Sequence, residues 1–463
     1  MKKFLLTISL AFFLGGFLCA AEKPKLNFVF ILADDLGWTD LSCYGSKFYE
    51  TPNLDKLATQ GMKFTQAYSA CTVCSPTRAA FLTGKYPARL HLTDYIPGYT
   101  RPFTKLISPD WTKYLPTNET TFPQQLETAG YFCASIGKWH LGGEDSRPEQ
   151  FGFDLNIAGS HQGHPASYFS PYKNPNLKDG PVGEYLTDRL TDETLKVLDQ
   201  NKNKSFFLYL PHFAVHTPIQ AKPEVIKKYQ NKLARMGSSS GHTNATYAAL
   251  LESLDDSVGR VLQKLDELKI ADRTVVIFTS DNGGFLKSTT NAPLRAGKGW
   301  GYEGGVRVPL IVRWLGVTQP GSVCETPSIT LDFYPTILEM AGLTDKPNHF
   351  CEGESIVPLL KKSGALKRTA LYWHYPHYRV DEAKPYSAIR DGDFKLIQSH
   401  ETGRFELYNL KEDIGETNNL VNKMAAKVSE LNKKLELWRK NTGAQMPLPN
   451  PKFDPVKDAE RIK

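Results

Sequence analysis

Beyond residue 21 the sequence has no apolar run long enough to cross a bilayer. It has no arginine-rich run and no interleaving of basic and aromatic residues, which argues against nucleic acid as a partner. Internal repeats and long low-complexity segments are absent, so solenoids and arrays are excluded. Cysteine is scarce, seven in 463 residues, and an odd number cannot all be paired. What remains is an ordinary globular composition, 41% hydrophobic and 23% charged, in a chain longer than one core usually supports. One large domain with a smaller one is the expectation.

The exception to the first absence lies at the N-terminus. Met1-Lys2-Lys3 precedes an apolar run from Phe4 to Leu18, followed by the small residues Cys19-Ala20-Ala21. This reads as a signal peptide over residues 1–21, cleaved near Ala21, and implies export to a periplasm or the medium with no stable membrane span left afterwards. Cys19 raises the question of lipidation, but Leu18 is bulky where a lipoprotein site takes a small residue. Loss of Lys2 and Lys3 takes the formal charge from +7 to +5, a surplus that suits an anionic substrate.

Strands and helices alternate through the next three hundred residues. Leu26 to Ala33, Tyr131 to Ile136, Phe206 to Leu210 and Thr274 to Thr279 are nearly continuous apolar runs, the pattern of buried parallel strands. Helices are expected near 51–60, within 116–130, and over 187–200, 247–268 and 329–341. The expected fold is therefore α/β with a large, mostly parallel central sheet flanked by helices. After about residue 365 the texture changes to short strands with turns such as Asp391-Gly392, then a closing helix, so a small antiparallel sheet with a packed helix is expected. The division is 22–365 for the larger domain and 366–463 for a C-terminal subdomain, whose tail from Gln445 reads as extended.

Each buried run ends in polar residues: Asp34-Asp35 after the first, Lys138 and His140 after the second, His216 past the third, Asp281-Asn282 after the fourth. In open α/β sheets the functional crevice lies at such strand ends. Lys138 and His140, two apart, would share one face of an extended segment.

Cys74-Ser75-Pro76-Thr77-Arg78 leads into Ala79-Ala80-Phe81-Leu82-Thr83-Gly84-Lys85. Pro76 suits a first helical turn, and Gly84 suits a left-handed cap at its end. Cys74 then sits at a helix N-terminus, where free amides favour negative charge, with Arg78 one turn on. The string resembles the signature of the type I sulfatases, C-x-P-S/T-R-x-x-x-L-T-G-K/R, with Thr77 where serine is commoner. Members of that family of this kind include arylsulfatases, N-acetylgalactosamine sulfatases and bacterial carbohydrate sulfatases.

The resemblance implies an alkaline-phosphatase-like sandwich and hydrolysis of sulfate monoesters. It implies that a formylglycine-generating or sulfatase-maturating enzyme oxidises Cys74 to 3-oxoalanine (formylglycine), whose hydrate attacks sulfur and later releases sulfate by collapsing to the aldehyde. Asp34, Asp35, Asp281 and Asn282, with residue 74, fall on the family's metal positions; three carboxylates and an amide suit one Ca2+ ion. Arg78, Lys138, His140, His216 and Lys298 fall on its sulfate-binding and acid-base positions. With Cys19 and Cys74 set aside five cysteines remain, and Cys324 and Cys351 are expected as partners.

The loop residues His161, His164, Tyr168 and Tyr172, with His374 and His377 of the C-terminal part, are expected to meet a sulfated carbohydrate, with sulfated galactose or N-acetylgalactosamine units favoured. Two other functions stay open at this level: a phosphate or phosphonate monoester hydrolase of the same fold, and a non-enzymatic sulfated-glycan binding protein.

Overall fold

The structure, a computed structural model, describes residues 25–236, 241–344, 349–380 and 382–460. The signal segment 1–21 lies outside the described residues. In chain order the strands are β1 (Asn27–Ala33), β2 (Met62–Tyr68), β3 (Leu106–Ile107), β4 (Phe132–Ile136), β5 (Leu155–Ile157), β6 (Phe206–Pro211), β7 (Thr274–Ser280) and β8 (Arg307–Arg313). They continue with β9 (Ser322–Cys324), β10 (Ser328–Ile329), β11 (Ala370–Tyr375), β12 (Tyr386–Asp391), β13 (Phe394–Ser399), β14 (Phe405–Asn409) and β15 (Leu448–Pro449).

Among the described residues the large sheet runs β10-β2-β8-β7-β1-β6-β4-β5, with β9 also on β2. Only β8 runs against its neighbours β2 and β7; the other pairings are parallel. Side chains alternate across β1 and both sets are buried. Val29, Ile31 and Ala33 join Val276, Phe278 and the helices Leu186–Asn201 and Ala245–Glu267 on one face. Phe28, Phe30 and Leu32 join Phe81, Phe122 and Phe333 on the other. A strand buried on both faces has no polar position to spare, which is why its sequence is an unbroken apolar run. Phe30 lies 4.3 Å from the Phe81 ring and 4.9 Å from that of Phe333. A phenylalanine so placed is worth about 3–5 kcal/mol relative to alanine.

The second sheet is antiparallel, β11-β12-β13-β14, with the helix Ala425–Thr442 laid on it through Leu431, Leu435 and Trp438. Its apolar face is shared with the loop that leads to Cys74. Trp373 donates its indole N–H to the carbonyl of Ser69 at 2.8 Å, and its cluster includes Cys71, Val73 and Ala80. The two-sheet architecture is the alkaline-phosphatase-like α/β arrangement expected.

Some local expectations change. The helix expected from 329 begins at Phe333, because Asp332 accepts from the Ile329 amide and holds a 3₁₀ turn first. The helix Pro223–Met236 was missed, since only Tyr229 of it is fully buried and its apolar stripe is thin. The tail is not simply extended: β15 pairs with β3, and Pro455–Glu460 is helical. No disulfide joins Cys324 to Cys351. Cys324 is held in β9, while the Cys351 Sγ packs toward the carbonyls of Gly84 and Gly353.

Candidate active site

Four adjacent parallel strands, β7, β1, β6 and β4, end at one edge of the sheet. Their register extends past the last residues: the Asp281 amide donates to Ala33 O, Asp34 to Ala214 O, His212 to Leu32 O and Lys138 to Pro211 O. The ladder thus brings Asp34, Lys138 and Asp281 to the same edge of the sheet. Gly137 is required for this approach, because a Cβ there would sit 2.0 Å from the Pro211 carbonyl oxygen.

Cys74 is the first residue of the helix Cys74–Thr83, which ends on Gly84 at φ 69°. The Thr77 hydroxyl accepts from the Cys71 amide at 3.1 Å and faces the carbonyls of Cys71 and Val73, so it clamps the turn before the helix. A serine hydroxyl would serve equally, which explains the tolerance at that position.

The Cys74 Sγ lies 3.2 Å from His140 Nδ1, and His140 Nε2 lies 2.5 Å from the Ile96 carbonyl oxygen. A carbonyl only accepts, so Nε2 carries the proton and Nδ1 turns a lone pair to residue 74. Burial, then Lys138, holds the imidazole well below its usual range, so the ring is neutral. His140 takes φ 60°, not the extended backbone expected, yet both it and Lys138 still reach the crevice.

Behind Cys74 the charges interlock. Arg78 is fully buried and donates Nε and Nη2 to Asp281 Oδ2 at 3.0 and 2.7 Å. Lys138 Nζ donates to Asp34 Oδ2 at 2.6 Å. Lys298 Nζ stands 2.6 and 2.9 Å from the two oxygens of Asp35. His216 Nε2 is 3.5 Å from Asp35 Oδ2, and its Nδ1 donates to the Thr217 carbonyl at 2.8 Å.

Burial pushes Asp35 up, but Lys298, His216 and Lys138 outweigh it and hold its carboxylate well below the ordinary range. Burial, reinforced by Asp34, lifts Asp281 to about 6 despite Arg78. Burial raises Asp34 as well, against Lys138. His216 is pushed well down by burial and then by Lys298.

The donor set fits a hard cation. Asp34 Oδ1 and Asn282 Oδ1 are buried with no hydrogen-bond donor among the described residues. Leaving such acceptors bare costs about 1–3 kcal/mol each, more when charged, unless a cation or water meets them. Ligand atoms of Asp34, Asp35 and His216 lie within 4.8 Å of one another. Cys74 and Asp281, also expected in the metal set, lie beside that three-residue group: Asp281 accepts from Arg78 and from the Asp35 amide, and Cys74 Sγ faces His140.

The crevice opens into a cavity of about 350 Å³ lined by Asp35, Cys74, His140, His216 and Lys298, with His161, Gln162, Gly163 and His164. The His164 ring stacks on His216 at 6.0 Å. Gly163 closes over His140, where a Cβ would come within 2.5 Å of the ring. Arg78 and Lys138 do not line it; they face the carboxylates from behind.

Three residues expected to meet substrate, and Tyr172 with them, lie elsewhere. Tyr168 is fully buried, its hydroxyl on the Phe213 and His216 carbonyls, and Tyr172 is bonded to Glu184. His374 is spent on Ser387 and the Gln445 carbonyl, while His377 bonds Thr93 and lines a second cavity beside this one. Each satisfies buried polar groups and none lines this first cavity. Tyr95 and Arg379 line the cavity and were missed; they come from loops without a motif, and only aromatic and basic character marked them.

The sulfatase family model matches residues 26–343, and that of the N-sulphoglucosamine sulphohydrolase C-terminal region matches 296–441. A sulfatase of Formosa agariphila is 35% identical over 99% of both chains. Human N-acetylgalactosamine-6-sulfatase is 32% identical, with 76% of this chain and 69% of that one covered. Among solved structures, Ps i-CgsB in complex with k-i-k-neocarrahexaose superposes with a TM-score of 0.77 at 29% identity, covering 94% and 96% of the two chains. The enzyme whose strand ends and helix N-terminus build this crevice belongs to the sulfatase family, the sulfuric ester hydrolases.

Proposed function

We propose that the chain is an exported carbohydrate sulfatase acting on sulfated galactose or N-acetylgalactosamine units, with residue 74 as nucleophile after its conversion to formylglycine by a maturation enzyme. The contact between Cys74 Sγ and the lone pair of His140 Nδ1, in a cavity shared with Lys298 and His216, carries the reading. The substrate class draws on the human relative's name and on the oligosaccharide bound to Ps i-CgsB.

Asp34, Asp35, Asp281 and Asn282 would hold one calcium ion, with His216 near enough to join them. The ion would supply Lewis-acid polarisation of a sulfuryl oxygen. Sγ marks where the hydroxyls of the formylglycine hydrate would stand; the hydrate supplies an oxygen nucleophile and a second hydroxyl for release.

The chain's own side chains do the rest. Lys298 lines the cavity and is held charged, since Asp35 outweighs the cost of burial. It can orient a sulfuryl oxygen or give a proton to the departing alcohol. His140 accepts a proton from the group at residue 74 through Nδ1. His216 enters neutral, and a bound sulfate anion beside it favours its protonated, donating form. Arg78 and Lys138 act at one remove, keeping the carboxylates ionised and aligned.

Residues 22–365 form the catalytic domain in this reading, and 366–463 complete the pocket through Arg379. Peptide mass analysis across Cys74, followed by rates on sulfated mono- and disaccharides and a phosphate monoester, tests it. An active preparation that retains only thiol at residue 74, or that prefers the phosphate ester, overturns it.

A further inference from the structure

A second cavity, of about 550 Å³, lies beside the first and shares Pro97 with it. None of the nucleophile, acid-base or metal positions lines it. One wall is the half-buried indole of Trp111. Gly98, at φ +86°, abuts that ring so closely that a Cβ would stand 2.7 Å from Cζ2. His377 meets the ring edge-on at 5.8 Å, and the Lys113 ammonium lies 5.8 Å from its centroid. The aromatic face is therefore fixed in place before any ligand arrives.

The other wall comes from the C-terminal tail. Asn450 Nδ2 donates to the carbonyls of Pro102 and Thr104 at 2.9 and 2.7 Å, and β15 pairs with β3. Those bonds bring Lys452 into the same cavity as Lys113, both exposed. Of the other charges there, Arg101 pairs with Asp458, and Asp110, exposed, accepts from the Trp111 amide through Oδ1 at 3.1 Å and leaves the lining with two exposed ammonium groups against one carboxylate.

A fixed aromatic face with two solvent-facing ammonium groups suits a ring that is apolar on one face, hydroxylated at its edge and anionic. We propose that this cavity is a subsite for the sugar adjoining the one whose sulfate lies at residue 74, stacking on Trp111, and that Lys113 and Lys452 take an anionic group on that neighbour. The proposal rests on the carbohydrate reading above and adds that the enzyme recognises its sugar within a longer anionic chain.

The test uses the full-length matured enzyme with 4-nitrophenyl sulfate, N-acetylgalactosamine 6-sulfate, and tetrasaccharides of chondroitin 6-sulfate and carrageenan. Trp111→Ala and the double variant Lys113→Ala/Lys452→Ala should each lower kcat/KM at least tenfold on the tetrasaccharide the wild type cleaves, mainly through KM. Both small substrates should stay within twofold. The lysine variant should also flatten the salt dependence on the tetrasaccharide. Because both lysines are exposed, the double variant keeps the test decisive if Trp111→Ala fails to fold. Equal loss on small and large substrates, no loss on the tetrasaccharide, or cleavage of the monosaccharide alone would overturn the subsite and leave the carbohydrate reading standing. Turnover of the aryl sulfate and of no sugar sulfate would overturn both.

Discussion

His140 donates Nε2–H to the carbonyl oxygen of Ile96 at 2.5 Å, and that bond fixes which ring nitrogen faces Cys74. The tautomer is set by the backbone of a loop, before substrate or modification is present. His140→Ala should therefore lower kcat by about a hundred- to ten-thousand-fold, the usual worth of a positioned base. His140→Gln should recover little, because its amide N–H can donate to the Ile96 carbonyl but its amide has no basic nitrogen to take a proton. Steady-state rates on preparations with equal conversion of residue 74 would check this, and a loss confined to KM would contradict it.

The unpartnered oxygens of Asp34 and Asn282 lead to a second expectation. Chelation should abolish turnover, and added calcium should restore it. Asp281→Ala should do more than lower metal content, because it removes the carboxylate oxygen that accepts two hydrogen bonds from the fully buried Arg78. Breaking a buried pair costs about 3–5 kcal/mol. A lowered melting temperature together with lost metal in elemental analysis is the expected pair of readings. Full activity and full metal content would remove Asp281 from the site.

Much of this site was legible because strand ends are legible. An apolar run that stops at Asp34-Asp35 or Asp281-Asn282 announces both the strand and the edge where its polar residues gather. The resemblance at Cys74 then put those clusters in register. The direction of side chains was less legible. Arg78 and Lys138, expected at sulfate-binding positions, direct their heads to Asp281 and Asp34, since buried carboxylates need cations beside them. Tyr168 and His374, expected to meet sugar, each satisfy a buried carbonyl or hydroxyl, and His377 bonds Thr93 at the edge of the second cavity. Such partners come from other segments, and no local spacing encodes them. The tail shows the same limit, since β15 is a strand only because β3 waits for it.

The join between the two sheets makes a third prediction. Lys395, fully buried on β13, stands 2.9 Å from Glu303 and 3.1 Å from Glu416. Burial pushes Glu303 up, but Lys395 and Arg307 outweigh it and bring it down to about 2, whereas burial lifts Glu416 to about 7. The Glu303 contribution is thus present above the unfolded carboxylate range near 4.5 and is lost as pH falls through it toward 2. Glu416 acts oppositely: the folded state gains a proton as pH drops from 7, which adds stability down to about 4.5. Lys395→Met leaves two carboxylates without their shared cation and should cost about 3–5 kcal/mol at pH 8. The deficit should shrink as pH falls from 8 to 5, because one carboxylate can protonate. Denaturant unfolding at the two pH values measures it, and a deficit that grows in acid would refute the charge assignment.

The last prediction separates two roles for His216. Its Nδ1–H is anchored on the Thr217 carbonyl, so Nε2 is the atom offered to the cavity, 3.5 Å from Asp35 Oδ2. As an acid, that nitrogen gives a proton to the departing alcohol. As a metal ligand beside Asp34 and Asp35, it must stay neutral, the state that burial and Lys298 already favour. A sugar alkoxide is a poor leaving group and needs the proton, whereas a phenolate leaves almost unaided. If His216 is the acid, His216→Ala should slow a sugar sulfate at least tenfold more than an activated aryl sulfate, with metal content unchanged. The fold should survive, since the ring lines the cavity and stacks on His164, another residue of that lining, and is no part of the apolar clusters. Equal losses on both substrates together with depleted metal would make it a ligand and leave Lys298, the charged neighbour in the same cavity, as the proton donor.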